Sequence, residues 1–481
     1  MSAPGRDDPR ARVRPRALGA LFLTLAGCTV GPNYARPGAT VPDAYRGTTA
    51  GEATTPGAAA LGEQKWWEVF QDEQLRQLIA AALQQNWDAR IAAARVLQAQ
   101  AQLGVTRADQ FPRLTGAAQA ARQRTAQSPG GPGGLSFSAF ESSLLEGSLS
   151  LAWELDFWGR FRRATEAARA SLLASEWGRQ AVLTTLVADV AGAYFQLREL
   201  DLELEISERT LRSRRESLDL VKSQEAQGAA SMLDVRQSEE LVFTAAAAIP
   251  DLERRIEQQE NFVSILLGQN PAPVPRGRPV TAQPQPPVVP AGLPASLLER
   301  RPDIRQAEQR LVAANAQIGV AKAAYFPQIT LTAVGGYQST ALSSLFTGPA
   351  GMWTVAGGLA EPIFDAGRIR STVRLAEAQQ QEAVLVYQQT IQQAFREVSD
   401  ALVAYRKTRE FRLQQELLTQ SAQDAARLSE SRYQGGATSY LEVLDSDTRY
   451  LSAELGLAQA RLSELEALVQ LYRALGGGWQ V

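Results

Sequence analysis

The chain has 481 residues, a formal charge of −2, 45% hydrophobic residues, a single cysteine and no histidine. Near-neutral charge removes a basic field for nucleic acid, and no nucleic-acid partner is expected. Without histidine the commonest general base and metal ligand are missing, and one cysteine excludes an intrachain disulfide and a thiolate cluster.

The first segment reads as a signal peptide over residues 1–27. Arg10, Arg12, Arg14 and Arg16 form a basic region, and Ala17 to Ala26 form an apolar run too short for a stable membrane helix. Leu25-Ala26-Gly27-Cys28 closes it and resembles the bacterial lipobox, which implies cleavage before Cys28 and a covalent lipid on its thiol. Several acyl chains anchor far more firmly than one, at about 0.8 kcal/mol per buried CH₂. Thr29 in place of an aspartate implies, by the same resemblance, sorting to the outer membrane. Residues 28–65, rich in Pro, Gly, Thr and Ala, read as a lipid-anchored extended tether. Trp66 and Trp67 follow, and pack either in a belt or near the anchor.

The rest of the chain repeats itself. DARIAAARVLQAQAQLGVTRADQFP (88–112) and DIRQAEQRLVAANAQIGVAKAAYFP (303–327) share twelve of twenty-five positions at an offset of 215. Gly159-Arg160 matches Gly367-Arg368, and AASMLDV (229–235) matches ATSYLEV (437–443), both at an offset of 208. The first repeat spans 66–269, the second 294–475, with a Pro-rich linker over 270–293 and a tail over 476–481.

Each repeat opens with an Ala/Gln/Arg-rich helix, about 86–109 and 301–324, stopped by Phe-Pro. Strands follow, about 112–157 and 327–364. Over 145–157 the odd positions carry Leu145, Gly147, Leu149, Leu151, Trp153, Leu155 and Phe157, and the even ones Glu146, Ser148, Ser150, Ala152, Glu154 and Asp156. A period of two over about thirteen residues fits a tilted membrane strand with one face to lipid. Glu154 and Asp156 would then face a barrel lumen; alternatively Asp156 caps the following helix. Next come long helices, about 159–226 and 367–434, each able to reach about 100 Å. Glycine turns lead to return helices over about 231–267 and 439–475.

The class is therefore mainly α with a membrane β-barrel, built as a duplicated helix, β-hairpin, long helix and helix. Four strands cannot close a barrel, and lipid does not tolerate open edges, so closure requires further copies. Three copies would supply twelve strands. A lipid-anchored periplasmic adaptor and a passive outer membrane channel are the alternatives. A lipid-anchored cell wall enzyme lacks any catalytic constellation, and no phosphate loop is present to power transport.

The marks CTVGPNY (28–34), KWWEVFQDEQLRQLI (65–79), LLERRPDIRQAEQRLVAANAQIGVAKAAYFPQI (297–329), EPIFDAGR (361–368) and RYQGGATSYLEVLDSD (432–447) resemble the TolC/OprM-like outer membrane efflux proteins, in the NodT-type lipoprotein branch. The resemblance implies a homotrimer with a twelve-strand barrel continuous with a twelve-helix tunnel. It implies docking to a periplasmic adaptor and an inner membrane pump, of the proton-driven kind. It implies no enzyme activity, no metal and no cofactor beyond the lipid on Cys28. The tunnel would close at its periplasmic tip, with Leu441 as an apolar constriction, Asp445 as an acidic one and Tyr433 tying the closed helices together. The basic residue expected three positions after Asp445 is Thr448 here, with Arg449 next. Asp447 reads as solvated helix surface.

Overall fold

The computed structural model describes residues 29–43, 45–46, 65–126, 139–283 and 294–478. Cys28 and the signal segment lie outside the described residues. Three helices open the described chain: α1 (Trp66–Val69), α2 (Glu73–Gln85) and α3 (Trp87–Ala108). Strands β1 (Arg113–Thr125) and β2 (Phe140–Leu155) lead into α4 (Arg160–Ala226) and α5 (Met232–Leu266). The second repeat contains α6 (Pro294–Arg300), α7 (Pro302–Ala323), β3 (Gln328–Ser339), β4 (Gly351–Ala360), α8 (Arg368–Gln434) and α9 (Tyr440–Ala474).

The duplication is exact in the rods. Both long helices have 67 residues and both return helices have 35. Their length comes from runs of good helix formers. It is held by apolar residues at coiled-coil spacing: Leu211 and Leu218 on α4 stand seven apart, as do Val235 and Val242 on α5, and all four are buried in one cluster with Tyr440. Each long helix ends at a left-handed glycine, Gly228 at φ +75° and Gly436 at φ +70°, where a side chain would be strained. Among the described residues no helix is long and apolar enough to cross a membrane.

Two compact units divide the chain. The first takes the described parts of Met1–Arg36, Gln98–Leu172 and Gln309–Val384; the second takes those of Pro37–Leu97, Leu173–Glu308 and Leu385–Val481.

The first unit holds one antiparallel sheet in the order β1-β2-β3-β4. The register aligns the apolar positions of all four strands. Leu151 of β2 stands opposite Leu114 of β1 and Ala333 of β3, which faces Val355 of β4. Leu114, Leu149, Leu331, Tyr337, Trp353, Val355 and Leu359 lie on that face, and all are exposed. The other face carries Thr115, Gln119, Ser148, Ser150, Thr330 and Thr332. A sheet with one side for hydrocarbon and one for water follows, and among the described residues its β1 and β4 edges have no strand partner.

Residues 29–36 depart from the tether reading. Val30 N–H donates to Trp158 C=O at 3.0 Å, and Asn315 donates to Pro32 C=O at 3.0 Å. The buried Arg163 reaches Asn33 Oδ1 at 2.7 Å. A Cβ at Gly31 would stand 2.5 Å from the Gly319 backbone, so the two glycines permit the close approach. Extended segments of this kind carry no periodicity, and their packing is invisible until the partner helix is in place.

In the second unit, Asp72 caps α2 and gathers the start of the Pro-rich linker. Its carboxylate accepts from Gln74 N (2.9 Å), Leu75 N (3.2 Å), Tyr194 Oη (3.1 Å), Arg278 N (2.9 Å) and Gln283 Nε2 (2.9 Å). Burial raises its pKa, but the bonds from Gln283, Leu75, Arg278 and Tyr194 outweigh that and hold the carboxyl below the usual range. A depressed carboxyl stabilises the fold above its unfolded pKa and loses that contribution as pH falls through the folded value. Asp72→Ala is expected to destabilise this unit by about 2–4 kcal/mol, as a lost cap and several orphaned buried donors require. Hydrogen exchange at the α2 and linker amides measures it.

Candidate functional site

The end of the α4–α5 and α8–α9 hairpins, in the second unit, brings together the residues singled out near 433–449. Tyr433 lies in the last turn of α8 and donates its hydroxyl to Gln224 Oε1 at 2.7 Å, near the end of α4. Its ring sits 5.1 Å from that of Tyr440, at the start of α9. The Tyr440 hydroxyl accepts from Ser238 of α5 at 2.9 Å. Each tyrosine thus joins one hairpin to the other. Burial, with the charge of Asp234 adding, raises the Tyr433 phenol pKa, so this tie remains a neutral hydrogen bond at physiological pH.

Asp447 is not simply solvated. Arg214, buried on α4, directs Nε to Asp447 Oδ2 at 3.4 Å and Nη1 to Leu241 C=O at 3.0 Å. A guanidinium at this depth demands compensation, and Asp447 supplies the charge. Arg209 on α4 pairs with Glu454 on α9, and Glu454 also accepts from Tyr450 at 2.8 Å. Four polar ties therefore connect the hairpins: Gln224–Tyr433, Ser238–Tyr440, Arg214–Asp447 and Arg209–Glu454. Beside them lies a cavity of about 510 Å³ walled by Arg214, Ser238, Tyr433, Tyr440, Asp447 and Tyr450.

Leu441 and Asp445 lie elsewhere. Leu441 is 61% exposed. Asp445 pairs with Arg449 one turn on, at 2.9 Å, with both side chains largely in solvent. Asp445 lines a different groove, of about 680 Å³, with Leu418, Ser446 and Arg449. Two residues along a helix is about 200°, which is why Asp445 and Asp447 serve opposite sides of α9.

The acids near the sheet are both engaged. Glu154 pairs with Arg160 at 2.6 Å. Asp156 accepts the Arg162 backbone N–H at 2.9 Å and its guanidinium at 3.4 Å, and so caps α4. Asp365 does the same for α8 through Ile369 N at 2.7 Å. Gly159 (φ +79°) and Gly367 (φ +85°) make the strand-to-helix turns. Trp66 is buried against Trp67, edge to face, at 5.2 Å. In the RRPDI stretch, Arg301 binds Asp303 at 2.6 Å, Glu397 at 2.7 Å and Ala474 C=O at 3.1 Å, which makes that motif a brace between helices.

Gln224, Arg214, Ser238 and Glu454 escape sequence reasoning, because pairs between helices depend on their rotation. One signal was available. At the offset of 208 the repeats diverge at the tip, with Met232 matching Tyr440 and Gln237 matching Asp445.

A sheet with a lipid-compatible face and duplicated coiled-coil hairpins define the class as a membrane channel subunit. The chain belongs to the outer membrane efflux protein family, whose model, described as "Outer membrane efflux protein", matches residues 78–269 and 293–477. It is 39% identical over 465 residues to the probable efflux pump outer membrane protein TtgC of Pseudomonas putida, covering 96% of this chain and 95% of that one. It is 35% identical over 459 residues to the cation efflux system protein CusC of Escherichia coli, covering 95% and 97%. The solved open state of the Neisseria gonorrhoeae MtrE outer membrane channel matches with a TM-score of 0.84 and 32% identity, over 94% of this chain and 99% of that one. The family is one of outer membrane efflux channels with a periplasmic helical tunnel, not of enzymes. With that membership the adaptor and cell wall enzyme alternatives fall.

A double-mutant cycle on Arg214→Ala and Asp447→Ala is expected to show a coupling of about 1–3 kcal/mol, read from hydrogen exchange at the tip amides. The cycle pairing Arg214→Ala with Asp445→Ala should add within about 0.5 kcal/mol, since Asp445 faces the other side.

Proposed function

We propose that three copies of this chain form the exit duct of a tripartite efflux system. A periplasmic adaptor and an inner membrane pump, of the proton-driven kind, deliver small molecules to its periplasmic end. Cys28, as mature residue one, carries the lipid that helps hold the subunit to the outer membrane. The observation that carries the reading is the four-stranded sheet, apolar on one face and polar on the other, with both edges unpaired among the described residues. Backbone edges of this kind cannot face lipid, and three such sheets give an even twelve-strand closure.

The gate is assigned to the hairpin tip. Three exposed Leu441 side chains make the apolar constriction, and three Asp445 carboxylates make the charged one. Arg449 neutralises part of each Asp445 charge through an exposed pair of modest strength. Tyr433 holds the tip together through Gln224, and Arg214–Asp447 acts beside it. Glu154 and Asp156, on and just beyond the polar face of β2, add negative charge at the lumen mouth, tempered by Arg160 and Arg162.

Planar-bilayer recording of the purified protein tests this. Leu441→Ala with Asp445→Ala is expected to raise single-channel conductance several-fold, and an unchanged conductance would remove the gate assignment. Arg449→Ala alone should increase cation preference, because the acidic ring loses its counter-charge. Cys28→Ser is expected to abolish incorporation of labelled palmitate.

A further inference from the structure

The lipid-compatible face of the sheet carries two residues that break its pattern. On β1 that face holds the even-numbered positions, Leu114, Gly116, Ala118 and Ala120, followed by Arg122 and Arg124. The arginines stand where hydrocarbon-facing side chains are expected, while Gln123 and Thr125 take the polar face. Both are open to the surroundings, with side chains 76% and 71% exposed.

Their height in the bilayer explains the break. At a rise of about 3.4 Å per residue, Arg122 and Arg124 stand about 27 and 34 Å along β1 from Leu114. A strand tilt of about 40° turns these lengths into about 21 and 26 Å across the membrane, and the apolar band of a membrane barrel is about 25 Å tall. The pair therefore brackets the far boundary of the band, where a long guanidinium side chain reaches the headgroup layer. The second repeat marks the same height independently. At the offset of 215, Arg122 matches Tyr337 and Arg124 matches Ser339. Tyr337 is exposed, its ring lies 5.7 Å from that of Phe346, and aromatic residues of this kind form the girdles of such barrels. Residues 339–351 include no charged side chain, yet the β3–β4 ladder forms as the β1–β2 ladder does. The ladder itself has no need of the arginines.

Glu141 of β2 lies on the same face, opposite Arg124, and pairs with Arg122 at 2.9 Å and Arg124 at 3.8 Å. One carboxylate serves two guanidinium groups, so the cluster keeps an excess of positive charge. Exposed pairs of this sort are weak and yield to a competing anion. We infer that Arg122 and Arg124 bind the phosphate of an anionic lipid in the leaflet remote from the helical rods, with its acyl chains against the apolar face below. The choice of leaflet rests on the duct proposed above, which puts the rods in the periplasm and this site at the outer surface. Phosphate suits the cluster because a guanidinium presents a fork of donors matched to its oxygens. A lipid suits it better than a free anion, because both arginines project from the side that carries the exposed Leu114 and Leu149.

Native mass spectrometry of the full-length protein in detergent, titrated with phosphatidylglycerol, tests the site. Arg122→Gln with Arg124→Gln is expected to weaken binding by about tenfold or more. Arg113→Gln, on the polar face of the same strand, should leave it unchanged. Glu141→Gln releases both guanidinium groups and should tighten binding several-fold, a gain that damage to the fold would not produce. Phosphatidylcholine, whose phosphate is offset by its own cation, should bind the native and doubly substituted proteins alike. Equal binding of phosphatidylglycerol by the native and double-arginine proteins overturns the inference, as does weaker binding by Glu141→Gln. Inorganic phosphate that binds as tightly as the lipid also overturns it, in favour of a soluble-anion site. Planar-bilayer recording of the same proteins separates this result from the duct. Native conductance with lipid binding indifferent to the arginines removes the lipid site and leaves the duct standing, whereas a native protein that forms no channel removes both.

Discussion

Hydrocarbon offers no partner for a peptide N–H or C=O, and each one left bare in lipid costs several kcal/mol. Among the described residues the sheet satisfies that demand everywhere except along the outer edges of β1 and β4. Its ladder of three antiparallel pairings closes the interior groups, and its two faces differ in chemistry rather than in shape. What remains is two edges that only another strand can satisfy. A charged or twisted-away edge, the usual protection in soluble sheets, is absent from β4, whose residues are Gly, Met, Trp, Thr, Val, Ala and Leu. The edge is built to be covered.

The helices obey a different constraint. Rods that pack side by side in register must be of equal length, and duplication supplies equal lengths at once: 67 and 35 residues in both repeats. The hairpin ends share left-handed glycines at 228 and 436, and two backbone bonds recur at the same offset, Gly228 N to Glu225 C=O with Gly436 N to Tyr433 C=O, and Ala229 N to Gln224 C=O with Ala437 N to Arg432 C=O. The larger asymmetry lies in the side chains. Tyr440 reaches Ser238, whereas its counterpart Met232 is exposed. Polar ties thus fall between unlike hairpins of one chain, where a symmetrical pair would offer no direction.

Sequence reasoning recovered what depends on local pattern. Helix limits of 86–109 and 367–434 lie within one or two residues of Trp87–Ala108 and Arg368–Gln434, because Phe-Pro and Gly-Arg punctuate the chain sharply. The odd-numbered apolar series of 145–157 anticipated the face that β2 shares with β1 and β3. Contacts between distant segments were not legible. Arg214 looks like one arginine of the run Arg209, Arg212, Arg214 and Arg215 until the α4–α9 packing buries it beside Asp447. Asp72 stands inside the stretch KWWEVFQDEQLRQLI with nothing local to mark it, and its bonds to Tyr194, Arg278 and Gln283 span more than a hundred residues. The docking of 29–36 left only Gly31 and Gly319 as traces, and neither glycine announces a partner.

The strength of the tip ties bears on how the proposed gate would work. A neutral hydrogen bond such as Tyr433–Gln224 contributes about 0.5–1.5 kcal/mol net. The Arg214–Asp447 contact, at 3.4 Å and half-open to solvent on the aspartate side, is weaker than a close bidentate pair. Together the four ties hold a subunit by a few kcal/mol. Shifting a two-state equilibrium from one extreme to the other takes about 5.5 kcal/mol of differential binding. In the trimeric duct proposed above, a partner that contacts the hairpin ends of three subunits would therefore need to supply only about 2 kcal/mol at each, within reach of a few side-chain contacts. Ties much stronger than these would raise what the proposed partner has to supply.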